Sequence, residues 1–221
     1  MSRDASPRPP GGLAWRRVIA AVAAFAWLGG AIGWSIAQDR PPGPGSVDAG
    51  FYLDMAAHHE QGVQLALIEL DNGENPVVLG FAKEIVIFQQ YELGRMDEQL
   101  REWGIGREDR EDVAMGWMNA PVPHDAMPGL ATEEQIAHLQ DTEGLAADAL
   151  FLELMAEHHR GAVHMAAYAA KNADSADVRA LARQMARNQA IEINEFAQTA
   201  ERFDLDVSIE PYPLEDLQLD G

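Results

Sequence analysis

The sequence predicts an all-α protein, and three features of its 221 residues support that class. Apolar residues recur at helical spacing over four long segments, each bounded by capping residues or by Gly and Pro. No stretch of useful length alternates apolar and polar residues as a strand would. A sixteen-residue pattern occurs twice in the chain, which indicates a duplicated helical unit.

The first pair of helices is predicted on either side of a short turn. The first helix runs over 48–71, with Asp48 as its N-cap and Gly73 after its end. The second runs over 76–103, with Pro76 in its first turn, where proline is favoured. So short a connection implies that the two helices are antiparallel neighbours.

A second pair follows after an irregular segment that is rich in Gly, Pro and Met. A capping box at Thr132 opens a short helix that ends near residue 140. Two further long helices are predicted over 145–171 and 175–203. The chain thus contains two predicted helical hairpins.

These hairpins are two copies of one unit. Phe51–Ala66 aligns with Phe151–Ala166 at an offset of 100 residues, without a gap and with seven identical positions. We therefore divide the region 48–203 into repeat 1 (48–103), a linker (104–144) and repeat 2 (145–203). Because each hairpin has one apolar face, the two together predict a four-helix bundle.

Each repeat carries the same potential metal ligands. A Met and two His are spaced i, i+3 and i+4, so they project from one side of a helix. Folding each hairpin places His58 level with Gln89 and Met55 level with Glu92, and the same holds 100 residues later. The predicted ligands are Met55, His58, His59, Glu92, Met155, His158, His159 and Glu192.

Copper is the predicted ion, with zinc or iron as alternatives. Imidazole binds all three, a thioether favours Cu(I), and a carboxylate widens the choice toward zinc or iron. Two other interpretations stay open. The His pairs could form a buried polar network that fixes the helix register, and Glu92 and Glu192 could orient the imidazoles without touching the ion. A weaker soft-metal candidate lies in the linker and comprises Met115, Met118, His124 and Met127.

Charge is distributed unevenly and excludes some partners. Residues 1–40 hold five Arg and two Asp, for a net charge of +3. Since the overall net charge is −20, residues 41–221 carry about −23. A field of that sign attracts cations and repels phosphate, so a nucleic-acid partner is not expected. Cysteine is absent, which excludes disulfides and thiolate metal sites.

The N-terminal region predicts export. Residues 1–17 are basic and predicted to be cytoplasmic, and 18–37 form an apolar stretch long enough for a transmembrane anchor. Small residues near its end would also suit a cleaved signal peptide. A Pro/Gly linker (38–47) precedes the bundle, and an acidic tail (204–221) follows it. The bundle is expected outside the cell membrane, or secreted if the segment is cleaved.

The second copy, Phe151–Ala166, resembles the hallmark of the bacterial family called domain of unknown function 305, with Phe, Met, the His pair and a second Met in place. The first copy departs from it at Gly62 and Leu65. The segment Met127–Thr132 is also similar to that family's inter-repeat segment. The resemblance implies a ferritin-like four-helix bundle, commonly exported, with some members linked to copper binding or tolerance. It also implies fewer thioethers in repeat 1.

The leading functional hypothesis is an extracytoplasmic copper-binding bundle that sequesters or hands on the ion. The alternative is a structural or partner-binding bundle. A di-metal oxidoreductase is disfavoured, because Met55 and Met155 occupy the positions where a Glu-x-x-His motif would place Glu. No nucleophile–base arrangement is recognisable either, so a non-enzymatic role is favoured.

Overall fold

A computed structural model describes residues 12–38, 41–217 and 219, without the side chains of 12–14, 16, 31–38 and 216. The chain divides at Pro41/Pro42 into two compact units. The predicted cytoplasmic segment 1–17 therefore lies largely outside the described residues. So do residues 39–40 of the Pro/Gly linker and parts of the C-terminal tail.

The first unit contains helix α1 (Gly12–Gln38). Across the residues that the structure describes, no helix combines the length and apolarity needed to cross a membrane. The anchor or signal predicted at 18–37 is therefore not confirmed.

The described residues of the second unit form five α-helices, which confirms the all-α class. They are α2 (Val47–Asn72), α3 (Pro76–Glu102), α4 (Glu133–Gln140), α5 (Leu145–Asn172) and α6 (Ala176–Arg202). In the described part of the chain, the only β-pairing is an isolated bridge between Ala114 and Val122. Helix α2 packs on α3, α5 packs on α6, and the two hairpins meet through α2 and α5. The ferritin-like assignment stays a prediction.

The predicted N-cap of the first helix is wrong, for a reason that involves both repeats. Ser46 caps α2, and its hydroxyl accepts a hydrogen bond from the Ala49 amide. The Asp48 carboxylate is buried and instead accepts the backbone amides of Asp174 and Ser175, at the start of α6. A residue that suits an N-cap is thus used to cap a helix of the other repeat.

The same exchange occurs in the other direction. Asp148 at the start of α5 accepts the amides of Glu74 and Asn75, which precede α3. Each repeat therefore supplies a buried carboxylate that holds the other repeat's turn. These paired caps fix α2 antiparallel to α5, so that the middle of α2 crosses the middle of α5.

The apolar core forms two clusters. One of them contains every described methionine except Met155. Met55 packs in a cluster with Met165 and Met185, whereas Met155 packs in the other cluster with Leu65. Antiparallel packing explains this, because residues early in one helix meet residues late in the other. Leu65 was expected to leave repeat 1 with fewer thioethers. Because Leu65 packs in the same cluster as Met155, the surroundings with fewer thioethers are instead those of Met155 in repeat 2.

The linker and the tail are both bound to the helices. The buried Asp54 carboxylate accepts hydrogen bonds from Arg110, the Met115 amide and the Trp117 indole. The predicted acidic tail is held by Asn194, whose side chain bonds both the amide and the carbonyl of Tyr212. In the weaker candidate cluster, the Met side chains are part of the apolar core, and His124 bonds the Glu111 carbonyl.

Candidate metal centre

Four imidazoles meet where α2 crosses α5. His58, His59, His158 and His159 are all completely buried. The rings of His58 and His158 are in contact, with centroids 3.9 Å apart and planes inclined by 37°. The rings of His158 and His159 have centroids 6.1 Å apart. The two predicted His pairs thus form one cluster that spans both repeats.

In every one of the four rings, Nε2 faces a hydrogen-bond acceptor. His59 Nε2 lies 2.9 Å from Glu92 Oε2, and His159 Nε2 lies 2.7 Å from Glu192 Oε2. His58 Nε2 lies 3.1 Å from the Pro128 carbonyl, and His158 Nε2 lies 2.8 Å from the His58 carbonyl. Carbonyls and carboxylates only accept, so each Nε2 carries the hydrogen.

The opposite nitrogen of each ring is left without a partner. Among the described residues, none of the four buried Nδ1 atoms has a hydrogen-bond partner. In a neutral imidazole with hydrogen on Nε2, Nδ1 carries a free lone pair. The side-chain oxygens of Gln89 and Gln189 are likewise buried and have no hydrogen-bond partner among the described residues. The cluster therefore holds several lone pairs that accept no hydrogen bond from the described residues.

Burial keeps the two central rings neutral. Desolvation, followed by the neighbouring His59, lowers the pKa of His58 from 6.5 to about 3. Desolvation and the proximity of His58 and His159 hold the pKa of His158 well below its usual value. A neutral imidazole is the form that coordinates metal ions.

Small residues make room for this arrangement. A Cβ on Gly62 would lie 2.4 Å from Gln89 Oε1 and 2.7 Å from His158 Cε1. A Cβ on Gly161 would lie 1.8 Å from the Pro128 carbonyl oxygen. Gly129, with φ of +85°, lets the linker turn close against the backbone of α5. Glycines thus allow the linker to approach closely enough to meet His58.

The other predicted ligands are less directly placed. Met55 and Met155 are fully buried, but in separate apolar clusters. Glu92 bonds His59 and Glu192 bonds His159, so both act as hydrogen-bond partners of imidazoles. Throughout the described residues, no three His, Asp or Glu side chains are grouped closely enough to hold a metal ion together. The ligand set thus stays a prediction.

Several features of the centre were not anticipated from the sequence. The Pro128 and His58 acceptors are backbone carbonyls, which no residue type reveals. Gln61 also binds the linker, through both the amide and the carbonyl of Ala131. Pro128 and Ala131 both lie in the segment Met127–Thr132, and its similarity to the family's inter-repeat segment was the one available signal.

A groove of about 580 Å³ between α3 and α6 borders the centre. Gln89, Glu92, Gln189 and Glu192 line it, and these include the carboxylates that bond His59 and His159. The Glu92 side chain is 11% exposed and that of Glu192 is 26% exposed. Polar groups at the edge of the buried cluster therefore reach solvent.

Comparison with known proteins gives a consistent picture of the fold. A family model described as "Domain of unknown function (DUF305)" matches residues 48–200. A Streptomyces coelicolor protein of that description, provisionally classed as secreted, is 32% identical, covering 76% of this chain and 99% of its own with a TM-score of 0.69. A DUF305 fragment from Deinococcus radiodurans is 29% identical, covering 73% and 99% with a TM-score of 0.62.

A more distant structure, CopM in its Cu(I)-bound form, is 24% identical, covering 71% of this chain and 96% of its own with a TM-score of 0.54. At that identity the likeness shows the fold alone. None of the proteins with curated functions matches the sequence significantly.

Proposed function

This chain belongs to the DUF305 family, and we propose that within that fold it binds a copper ion through the buried His cluster and sequesters it or hands it on. The observation that carries the proposal is the orientation of the four imidazoles. Each Nε2 donates to an acceptor, and each Nδ1 is buried without a partner among the described residues.

Energetics favour an ion over an empty polar network. A buried polar atom without a partner costs about 1–3 kcal/mol. A network that serves only to fix the helix register would be expected to satisfy its members, yet here the four Nδ1 atoms have no hydrogen-bond partner among the described residues. A bound cation would occupy such lone pairs and offset that cost.

Each residue then has a distinct role. His58, His59, His158 and His159 are the proposed ligands, through Nδ1. Among the described residues no three of these side chains lie close enough together to hold an ion as they stand, so binding requires them to move toward it. Glu92 and Glu192 orient two of the rings and strengthen them as donors, as carboxylates beside metal-bound His commonly do. Met55 and Met155 are proposed as soft donors flanking the cluster, and they favour Cu(I) over zinc.

The structural alternative also has a specific observation in its favour. The His158–His58 bond links α5 to α2, and the His58–Pro128 bond links α2 to the linker. These bonds would hold the elements together without any ion. The two functions differ in one respect, because only the copper-binding function predicts stoichiometric binding that depends on the His cluster.

We further propose that the bundle lies outside the cytoplasm. The apolar stretch at 18–37 and the preceding Arg residues support export, and the Streptomyces relative is provisionally classed as secreted. The name CopM refers to a protein whose structures contain Cu(I), Cu(II) and Ag. Copper is the ion that we carry over from it as a hypothesis for this chain.

The test is the copper content of the full-length protein, purified without a nickel column and loaded with Cu(I). Wild type should retain stoichiometric copper after desalting. A variant with His58, His59, His158 and His159 replaced by Ala should retain none. The matched control replaces the exposed His138 and His164, and it should bind like wild type.

A second variant guards against loss of folding. His59→Gln with His159→Gln keeps a donor that can reach Glu92 and Glu192 but removes two imidazoles. We expect weakened copper binding with the helical circular dichroism unchanged. Undiminished copper in both variants would reject the His cluster as the site.

A further inference from the structure

Within the described residues of the second unit, exposed apolar side chains lie side by side along the groove between α3 and α6. Ile87, Phe88 and Tyr91 of α3 are 64%, 58% and 61% exposed, and Ile191 of α6 is 38% exposed. Soluble monomers seldom expose large apolar side chains side by side unless the patch binds something. Because these side chains are so exposed, the groove is an open surface rather than an enclosed pocket for a small molecule.

The same groove is acidic. Glu92, Glu192 and Glu195 line it, and within the described residues its lining contains no Lys or Arg. Burial, with the charges of Glu192 and Glu84, raises the pKa of Glu195. Its carboxylate therefore lies among like charges that a cation would relieve.

We propose that this groove docks a short amphipathic helix of a partner protein, with apolar side chains on one face and Lys or Arg beside them. The apolar lining residues at 87, 88 and 91 span about one helical turn, and the whole lining of α3 from 85 to 92 spans about 10 Å. Helices recognised in such grooves insert side chains spaced three or four residues apart. The acidic lining selects a basic segment over an acidic one.

A second copy of this chain is a poorer occupant. It would bring its own Glu92, Glu192 and Glu195 against the same carboxylates, in a protein of net charge −20. Anionic lipid and nucleic acid are disfavoured for the same reason. A basic, apolar protein segment is the occupant that matches both properties of the groove.

Docking there does not depend on the ion, so it stands or falls separately from the proposed function. If copper does bind the His cluster, the docked segment would lie directly over the carboxylates that bond His59 and His159. That position suits a partner that delivers or receives the ion.

The experiment measures the binding of two fluorescein-labelled helical peptides to full-length, chelator-treated protein in 150 mM salt. One 14-residue peptide has Leu on one face and Lys on the other, and its twin has Glu in place of Lys. We expect saturable anisotropy changes with the Lys peptide only. The variant Phe88→Gln with Tyr91→Gln should weaken binding at least tenfold, and Glu195→Gln should weaken it about threefold.

The matched control, Leu67→Gln with Phe203→Gln, removes apolar side chains that are exposed elsewhere and should stay within twofold of wild type. Equal binding by the groove variant and wild type, or no saturable binding up to 1 mM, would overturn the proposal. Equal binding of the Glu peptide would overturn its charge selectivity. A wild type that dimerises in sedimentation while the groove variant is monomeric would show that a second copy fills the groove, which also overturns it.

Discussion

Repeat 1 and repeat 2 place the same His pair and the same Glu at the centre of the bundle, yet the central His of each is held differently. His158 of repeat 2 donates to the backbone of repeat 1, at the His58 carbonyl. His58 donates instead to Pro128 of the linker. The linker has thus taken, on one side, the role that a helix backbone plays on the other.

Two other differences between the repeats lie at positions that contact the linker. Asp54, which binds Arg110 and Trp117, corresponds to the buried Leu154 in repeat 2. Gln61, which binds Ala131, corresponds to Gly161, against which the linker packs. Conversely, Asp48 and Asp148 occupy equivalent positions, and each accepts hydrogen bonds from backbone amides in the turn of the other repeat. The His–Glu pairs and the two carboxylates that hold the other repeat's turn are therefore the same in both repeats, whereas positions 54 and 61 differ where the repeats contact the linker.

The largest expected effect comes from giving repeat 1 the residue that repeat 2 has at position 54. Asp54→Leu would leave Arg110 and the Trp117 indole without their carboxylate. Removing one partner of a buried ion pair costs about 3–5 kcal/mol. Urea unfolding should show a loss of that size, whereas Asp125→Leu, at an exposed linker position, should change stability by less than about 0.5 kcal/mol. A loss below about 1 kcal/mol at Asp54 would mean that the linker is not anchored there.

A smaller effect is expected where the linker crosses α5. Gly161→Ala would place a methyl group 1.8 Å from the Pro128 carbonyl oxygen. We expect a loss of about 1–3 kcal/mol, since overpacking outweighs the helix propensity gained. Gly94→Ala, which has open space in α3, should instead stabilise the protein by up to about 1 kcal/mol. If both variants were stabilised, the close passage of the linker over α5 would be refuted.

These two predictions concern contacts with the linker that the sequence alone does not reveal. The helices, the first-turn position of Pro76 and the capping box at Thr132 were predictable, because capping and apolar spacing are local properties. The grouping of Gln89 and Glu92 with the His pair followed from the geometry of an antiparallel hairpin.

What could not be predicted depends on contacts between distant segments. Asp48 has the residue type of an N-cap, and only the packing of the repeats reveals that it caps α6. The acceptor for His58 is a carbonyl, a group that every residue has. Which nitrogen of each ring is free therefore had to come from the structure.

The pH dependence of stability should distinguish the repeats at position 69. Glu69 is buried, and burial together with Asp148 raises its pKa from 4.5 to about 9, whereas repeat 2 has Ala169 there. The folded state then holds a proton that the unfolded state has lost. Stability must therefore fall as the pH rises from about 4.5 to 9, by at most about 1.4 kcal/mol per pH unit.

The suitable window is pH 7.5 to 9, where the buried His58 and His158 are neutral in the folded state and almost entirely neutral in the unfolded state, so that they contribute little. Urea unfolding of wild type across that window should show the decline, and Glu69→Gln should remove most of it. A decline of equal slope in the Glu69→Gln variant would assign the effect to another group.

The smallest expected effect on stability concerns the thioethers. Met55→Leu and Met155→Leu preserve volume and apolarity, so each should cost under about 1.5 kcal/mol without metal. In competition with chelators, the double variant should lose Cu(I) affinity by about tenfold, or about 1.4 kcal/mol, with Zn(II) affinity nearly unchanged. Met155→Leu should account for more of the loss, because Met155 is the single described Met of its cluster, whereas Met165 and Met185 remain beside Met55. Equal losses for both ions would make these residues structural supports.

The proposed copper site requires that the Nδ1 atoms of both repeats are free to bind an ion, and nitrogen-15 NMR of the His side chains tests this requirement. Without metal, full-length protein should show hydrogen on Nε2 and none on Nδ1 for His58, His59, His158 and His159. Anaerobic addition of Cu(I) should shift these Nδ1 resonances, while the exposed His138 and His164 serve as internal references and stay unchanged. Hydrogen on Nδ1 before loading, or bound copper with the four buried rings unperturbed, would contradict the account.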